Sequence, residues 1–375
     1  MRLLRNGLPC IMQYAGSIVP MAFSIRPHFY SDRIVQDSDL VPIYTPVWFC
    51  MFNCYIYIVS LYCRLLQYIC SSVILFTMSR QLKSNLMILL ATFIWGTAFL
   101  AQKNGGHIGA FTFNGIRFLI GGTFLLPVIY VLDRFRENHD DNGWNKMVFT
   151  GGIACGVVLF VASSLQQYGV MFTTIGKTGF ITALYAVIVP VFSIVLGKKV
   201  HLRTWIAVAI GIIGLYFLSM YGESLSISYG DRFVIGCAFG FAVQIMMMDY
   251  YSPKVDPVKL ACTEFFTIGI ISLPFMFIFE SPNIPDIVSV LPSLLYASIL
   301  SSGVAYTLQA VGQKYAEPTQ AALMMCLESV FSLFTGMIML GEKMAIHEYI
   351  GALLIFIAVV LTQLPERSRK EEVSK

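Results

Sequence analysis

Charge is what this chain has least of: Asp, Glu, Lys and Arg make up 12% of its 375 residues, against about 25% in soluble globular proteins. With 57% apolar residues and a mean hydropathy of +0.72, that scarcity excludes an ordinary water-soluble fold. Long polar stretches are missing too. After Met78 the longest, Asp133 to Lys146, is too short to fold alone, so any chemistry takes place inside a bilayer. Nine cysteines form no CxxC and no Cys/His metal spacing, which argues against a disulfide framework or a zinc site and for free apolar cysteines in helices. HExxH and GxSxG are absent, and His347-Glu348 is followed by Tyr-Ile-Gly, so an intramembrane enzyme ranks low. The triplet Gly176-Lys177-Thr178 imitates the end of a phosphate-binding loop, but that loop requires a glycine at position 171, which is Met171. The triplet fits a helix entrance with one exposed lysine. No cofactor and no metal is expected.

What the chain has is apolar runs of roughly twenty residues, the length that crosses about 30 Å of hydrocarbon as a helix. Ten are found, near 86–103, 111–132, 147–169, 176–197, 203–221, 232–251, 259–279, 287–311, 318–340 and 345–364. Lys and Arg fix a predicted orientation. With the segment at Met78 inside, inner segments hold fifteen, and the outer loops hold only Lys103, Lys177, Arg232 and Lys343. Both ends of the segment from Met78 are therefore expected in the cytoplasm, and the net charge of +4 reflects topology rather than a nucleic-acid partner. Residues 1–77 carry five of the cysteines and a Tyr/Cys/Phe-rich run broken by Arg64; MSRQLKSNLMILL at 78–90 already has the form of a natural start. Residues 1–77 are thus expected to be a dispensable upstream extension.

The sequence also repeats. VASSLQQYG at 161–169 matches VAYTLQAVG at 304–312, an offset of 143, and FNGIRFLIGGTFLLP at 113–127 lies over LACTEFFTIGIISLP at 260–274. Each half, 78–222 and 223–375, holds five spans, and the second ends in a basic tail. Because five is odd, the second copy enters the membrane inverted. The expected fold is an all-α integral membrane protein of ten helices in two inverted five-helix repeats, an architecture that lets a central site open to each side in turn.

LATFIWGTAFLAQK at 90–103, the Arg117-Phe118 pair, FITALYAVIVP at 180–190 and LESVFSLFTGMIMLGEK at 327–343 resemble the EamA-type families of the drug/metabolite transporter superfamily. The resemblance runs from Met78 to about Leu364 and implies a ten-helix carrier of the cytoplasmic membrane with a central cavity. It would move amino acids, other metabolites or drugs, frequently outward. Where the family has Leu-Glu-Pro in the ninth span, this chain has Leu327-Glu328-Ser329, which puts the local kink in question.

Candidate site residues follow from cost, since a charge at a helix centre is disfavoured by about 2.5 to 3.5 kcal/mol on insertion scales and normally faces a cavity or a partner. Glu328, ten residues into the ninth span, is the leading one, as a proton site or the counterion of a solute amine, with a buried structural partner as the competing reading. Arg117 and Glu264 are equivalent at offset 147 and are expected near opposite mouths, too far apart to pair. For Arg117 a side chain reaching to the headgroups is preferred. For Glu264, close to Lys259, a structural role is preferred. Trp95, Thr97, Gln102, Asn114, Tyr185, Gln244 and Tyr306 are a possible lining. Gln166 and Gln309 form a repeat-related pair, for which helix-to-helix bonding is the commoner outcome and solute contact the alternative. Gly152-x3-Gly156 and Gly236-x3-Gly240 fit close packing within one chain, and Pro127, Pro190 and Pro274 are expected to interrupt their spans. The expected partners are the bilayer, a small-molecule substrate and coupling protons. A receptor or scaffold is the further alternative.

Overall fold

The computed structural model describes residues 79–135, 143–222, 227–340 and 344–364, so the expectation for residues 1–77 lies outside them. Helices α1 (Arg80–Gly105), α2 (Ala110–Phe135) and α3 (Lys146–Phe172) come first, with a 3-10 turn at Gly106–Ile108. The fourth span is two helices, α4 (Ile175–Thr182) and α5 (Tyr185–Val195), followed by α6 (Leu202–Ser219), α7 (Tyr229–Tyr251) and α8 (Pro257–Phe279). A short α9 (Ile284–Ser289) leads into the eighth span, made of α10 (Leu291–Tyr296), a π-helical segment Ala297–Tyr306 and α11 (Thr307–Gln313). Last come α12 (Pro318–Met325), α13 (Leu327–Leu340) and α14 (Ile346–Gln363).

Among the described residues nine helical stretches are long and apolar enough to cross a membrane, from Arg80–Ile108 to Ile346–Gln363. The remaining expected span, the ninth at 318–340, is the α12–α13 pair, and neither helix reaches that length alone. The protein is an all-α, multi-pass membrane protein.

Local chemistry explains where the helices start. The first backbone N–H groups of a helix lack intrahelical partners, and a short polar side chain just ahead supplies an acceptor. Ser79, Asn145 and Thr174 accept from Leu82 N, Val148 N and Lys177 N, and Asp256 accepts from Val258 N and Lys259 N ahead of Pro257. Ser228 and Asp231 form a reciprocal capping box on α7. The start of α2 is capped from a distance: both carboxylate oxygens of Glu280 accept, one from Phe111 N at 2.9 Å and the other from Thr112 N at 2.7 Å.

Packing is pairwise. α1 lies on the eighth span and on α13, while α7 lies on α3 and on the fourth span. α2 packs on α8 and on the π segment, α8 also packs on α3, and α6 pairs with α14. Small residues permit these approaches: a Cβ at Gly156 would stand 2.6 Å from Thr267 Cβ, and one at Gly240 2.8 Å from Ala162 Cβ. Both small-residue faces are thus used inside the chain.

Two expectations are corrected here. α2 and α8 run unbroken through Pro127 and Pro274, and α5 runs through Pro190. The breaks fall instead at Ala183–Leu184 and at Cys326, so the ninth span is broken without the family's proline. Lys177 is not exposed: it is 8% accessible and faces Asp231 at 3.9 Å.

Candidate functional site

Seven spans converge on a narrow interior cavity with about 40 Å³ of room, enough for two or three waters at roughly 10–15 Å³ each. α1 contributes Trp95 and Gln102, α2 Arg117, and α3 Gln166. The two sides of the break in the fourth span supply Thr182 and Tyr185, and the two sides of the break in the ninth supply Met325 and Glu328. α7 brings Phe241, Gln244 and Ile245, and the eighth span closes the wall with Tyr306 and Gln309. Six of the eight candidate residues, Glu328, Gln166, Gln309, Trp95, Tyr185 and Arg117, therefore meet in one place. Glu264 stands behind Gln244, whose Nε2 donates to it. Asn114 is fully buried outside this wall, with neither amide atom partnered among the described residues.

Arg117 is the main correction. It does not reach for headgroups; it is 3% accessible, and its Nε donates to Ser302 Oγ at 2.8 Å and its Nη2 to Ser301 Oγ at 2.9 Å. The cause lies in the eighth span. Ser298, Ser301, Ser302 and Gly303 keep that helix thin enough for α2 to approach, with Gly121 against Ser302 and Gly303 against Phe124. A π-helical stretch, which is uncommon and concentrates at functional sites, presents Ser301 in two directions at once. Its hydroxyl accepts from Arg117, and its carbonyl accepts from Trp95 Nε1 at 3.1 Å. Ser301 and Ser302 were not among the candidates; the serine-rich run 298–302 is the signal that marks them.

Both acceptors of Arg117 are neutral. Arg117 and Glu328 sense each other electrostatically across the cavity without forming an ion pair, and Glu328 has no hydrogen bond to any described residue. Glu328 keeps part of its surface accessible. An aromatic group backs this arrangement, with Tyr306 edge-on to Trp95 at 4.8 Å and Phe118 at 5.7 Å from Phe265. Glu264 does not pair with Lys259, which instead binds Asp133 at 2.8 Å. Gln166 Nε2 donates to Thr182 Oγ1 and Gln309 Nε2 to Gln244 Oε1, so each member of the glutamine pair bonds a neighbouring helix and also borders the cavity.

A vestibule lies at each end of the bundle. Where α4 begins, about 310 Å³ is bordered by Thr174, Ser219, Ser329, Ser332 and Glu348. At the other end, where α12 begins, about 550 Å³ lies among Lys198, Lys199, Lys314, Asp249 and Glu317.

A helical membrane protein with a polar cavity at its heart and a vestibule at either end belongs to the class of solute-handling membrane proteins. The model of the EamA-like transporter family matches residues 82–220 and again 228–364. The chain belongs to that family, and so to the drug/metabolite transporter superfamily; the family is one of membrane transporters, not of enzymes. An uncharacterized transporter of Archaeoglobus fulgidus is 31% identical over 287 residues, covering 76% of this chain and 87% of the relative. The uncharacterized transporter YoaV of Bacillus subtilis is 23% identical over 77% of this chain and 100% of its own length. The uncharacterized inner membrane transporter YicL of Salmonella typhimurium is 21% identical over 76% of this chain and 97% of its own. A crystal structure 16% identical in sequence has a similar fold, with a TM-score of 0.62 over 75% of this chain and 96% of that one.

Proposed function

We propose that this protein is a secondary carrier of small organic solutes that works by alternating access, and that amino-acid-like solutes best match the groups that border its cavity, which widens beyond its present few-water volume to admit them. The observation that carries this reading is the separation of Arg117 from Glu328. A guanidinium and a carboxyl group border one small cavity, and among the described residues no hydrogen bond or ion pair joins them. Uncompensated charges at membrane depth are costly, and a molecule with a carboxylate for Arg117 and an ammonium for Glu328 would satisfy both. Trp95 and Tyr306 offer aromatic surface to whatever side chain it carries, which suits amphipathic drug-like solutes as well.

Several observations support two inverted five-helix halves. The family model matches twice in tandem. The contacts are preserved on advancing by five spans: α1 on the eighth and ninth spans corresponds to α7 on α3 and the fourth, and the α2–α8 and α6–α14 pairs map onto themselves. The breaks at Ala183 and Cys326 are 143 residues apart, as are Thr174 and Glu317 at the two vestibules. Rocking one half against the other would widen one vestibule into the cavity while closing the other. The lysine-rich vestibule faces the cytoplasm in this reading, as the loop charges require, in the cytoplasmic membrane; export is the direction that the family resemblance implies. Glu328 holds an ammonium or a proton, one at a time, which couples solute to proton exchange.

The test is flux without nucleotide. Purified protein in liposomes should exchange labelled amino acids across the membrane, and Arg117→Gln or Glu328→Gln should abolish it. Absence of flux for the full set of protein amino acids would overturn the solute assignment. Retention of pH-driven uptake by Glu328→Gln would remove the coupling role.

A further inference from the structure

Behind the cavity wall three side chains from three helices form one row of hydrogen bonds. Gln309 on α11 donates from Nε2 to Gln244 Oε1 at 3.2 Å, and Gln244 on α7 donates from Nε2 to Glu264 Oε1 on α8 at 3.3 Å. All three are at most 2% accessible. Both ends of the row are open: Glu264 Oε2 and Gln309 Oε1 are buried with no hydrogen-bond partner among the described residues. Gln244 and Gln309 border the cavity, and Glu264 does not.

A primary amide accepts at one end and donates at the other, so a row of amides has a direction. Glu264 sets it here. Because its oxygen accepts, the NH2 of Gln244 points toward it, the carbonyl of Gln244 is left for Gln309, and the carbonyl of Gln309, a residue that borders the cavity, is left without a partner among the described residues. We propose that Glu264 is a proton-binding positioning residue that decides, through Gln244, whether Gln309 offers the solute a carbonyl or an NH2.

The reversal follows from satisfying a new donor. When a proton joins Glu264 the resulting O–H requires an acceptor, since a buried donor without one is costly. Gln244 is the only hydrogen-bond partner of the Glu264 side chain among the described residues. Gln244 turns over to present its carbonyl, its NH2 then faces Gln309, and Gln309 turns over in response and presents its NH2 to the cavity. A solute group that donates, an ammonium above all, is held in the first state and refused in the second. Its binding therefore drives the proton from Glu264 into water, one proton released for one ammonium taken up. This rests on the cavity being the solute site proposed above, although the direction of the row can be measured with no solute present.

The surroundings leave the decision to Glu264. The titratable groups that face it are a thiol, Cys155 on α3, and a phenol, Tyr306 on the π segment. α7 and α11 face it with amides. Arg117 on α2 is directed to Ser301 and Ser302, and Lys259 on the same helix as Glu264 is held by Asp133.

Infrared difference spectroscopy of the full-length protein in lipid, between acid and alkaline buffer, reads both ends of the row, with glutamine side chains labelled by heavy carbon to identify their carbonyl bands. Acid should produce a protonated-carboxyl band together with a shift of the labelled amide bands. In Glu264→Gln one component of the carboxyl band and the whole amide shift should vanish; in Gln244→Leu that carboxyl component should persist and the amide shift should be lost; in Glu328→Gln the amide shift should remain. Amide bands that do not respond to acid, or that respond unchanged in Glu264→Gln, overturn the proposal. Because no flux is measured, failure here is separate from failure of the carrier reading, and Gln244→Leu tests the coupling should Glu264→Gln not fold.

Discussion

Cys326 Sγ lies 3.9 Å from the carbonyl oxygen of Ala183, so the break in the ninth span rests on the break in the fourth. Helix breaks free carbonyls that must find partners in a membrane; Ala183 O accepts from Ala186 N at 3.0 Å, and the thiol of Cys326, nearer to Ala322 O of its own span at 3.5 Å, lies against it. The crossing also carries the site, because Tyr185 and Glu328 follow the two breaks by two residues each.

Bulk at this crossing should be poorly tolerated. Cys326 is 1% and Ala183 3% accessible, and overpacking such a contact costs about 1–3 kcal/mol. Cys326→Phe is expected to lower the unfolding midpoint in detergent by several degrees and to displace Glu328 from the cavity. Cys326→Ala should stay close to the parent. A thermal unfolding series measures both, and equal stability of the Phe and Ala variants would show that the crossing is loose.

Arg117 should not be replaceable by lysine. Its planar fork donates to two hydroxyls at once, a geometry that an ammonium on a flexible stem does not reproduce. Hydrogen bonds to a charged group contribute about 1.5–3 kcal/mol each, and Ser301→Ala with Ser302→Ala should leave the guanidinium without acceptors. Arg117→Lys and the double serine variant are both expected to weaken amino-acid binding at least about tenfold, or about 1.4 kcal/mol, by isothermal titration. Binding unchanged in the double variant would mean that the serines do not orient the cation.

The spans, the tandem repeat and the costly intramembrane polar residues were legible in the sequence because length, offset and desolvation cost leave their mark one residue at a time. Direction around a helix was not. Arg117 read as a headgroup-seeking side chain since its position along α2 was known, whereas the acceptors on the eighth span depend on a π-helical turn that no short pattern announces. The breaks were looked for at prolines, and the chain makes them at Ala183–Leu184 and Cys326, between residues that give no local signal. Lys177 looked exposed because Asp231, its partner, is 54 residues away on α7.

Acid should weaken solute binding, and the sign follows from Glu328. Its ionised form holds an ammonium and its protonated form does not, so lowering the pH through its titration removes affinity by up to about tenfold per pH unit for each proton exchanged. Glu328→Gln is expected to bind weakly at every pH and to reduce the steepness of the acid limb by one proton. Titrations with a fixed amino acid across a wide pH range measure this. A decarboxylated analogue should follow the same limb, and a deaminated one should not.

Two ion pairs tie the fourth span and the loop after it to α7, one at each end, and burial rather than distance should decide which matters. Lys198 and Asp249 are closer, at 2.5 Å, but their side chains are 48% and 19% accessible. Lys177 and Asp231 are 3.9 Å apart, with 10% and 4% accessible. A solvated pair contributes about 0–1 kcal/mol whatever its length, because water and salt screen it. Asp231 has more to lose, since it also accepts from Thr173 Oγ1 at 2.6 Å and from Ser228 N at 2.8 Å as part of the box that starts α7. A lost N-terminal cap costs about 0.5–2 kcal/mol, to which the lost hydrogen bond from Thr173 to the carboxylate adds about 1 kcal/mol or more. Asp231→Ala is therefore expected to cost about 2–3 kcal/mol of stability and to be insensitive to salt. Asp249→Ala should cost no more than about 1 kcal/mol and less at high ionic strength. Denaturant unfolding at low and high salt separates the two, and a larger loss at Asp249 would show that the shorter contact, not the drier one, fastens the fourth span to α7.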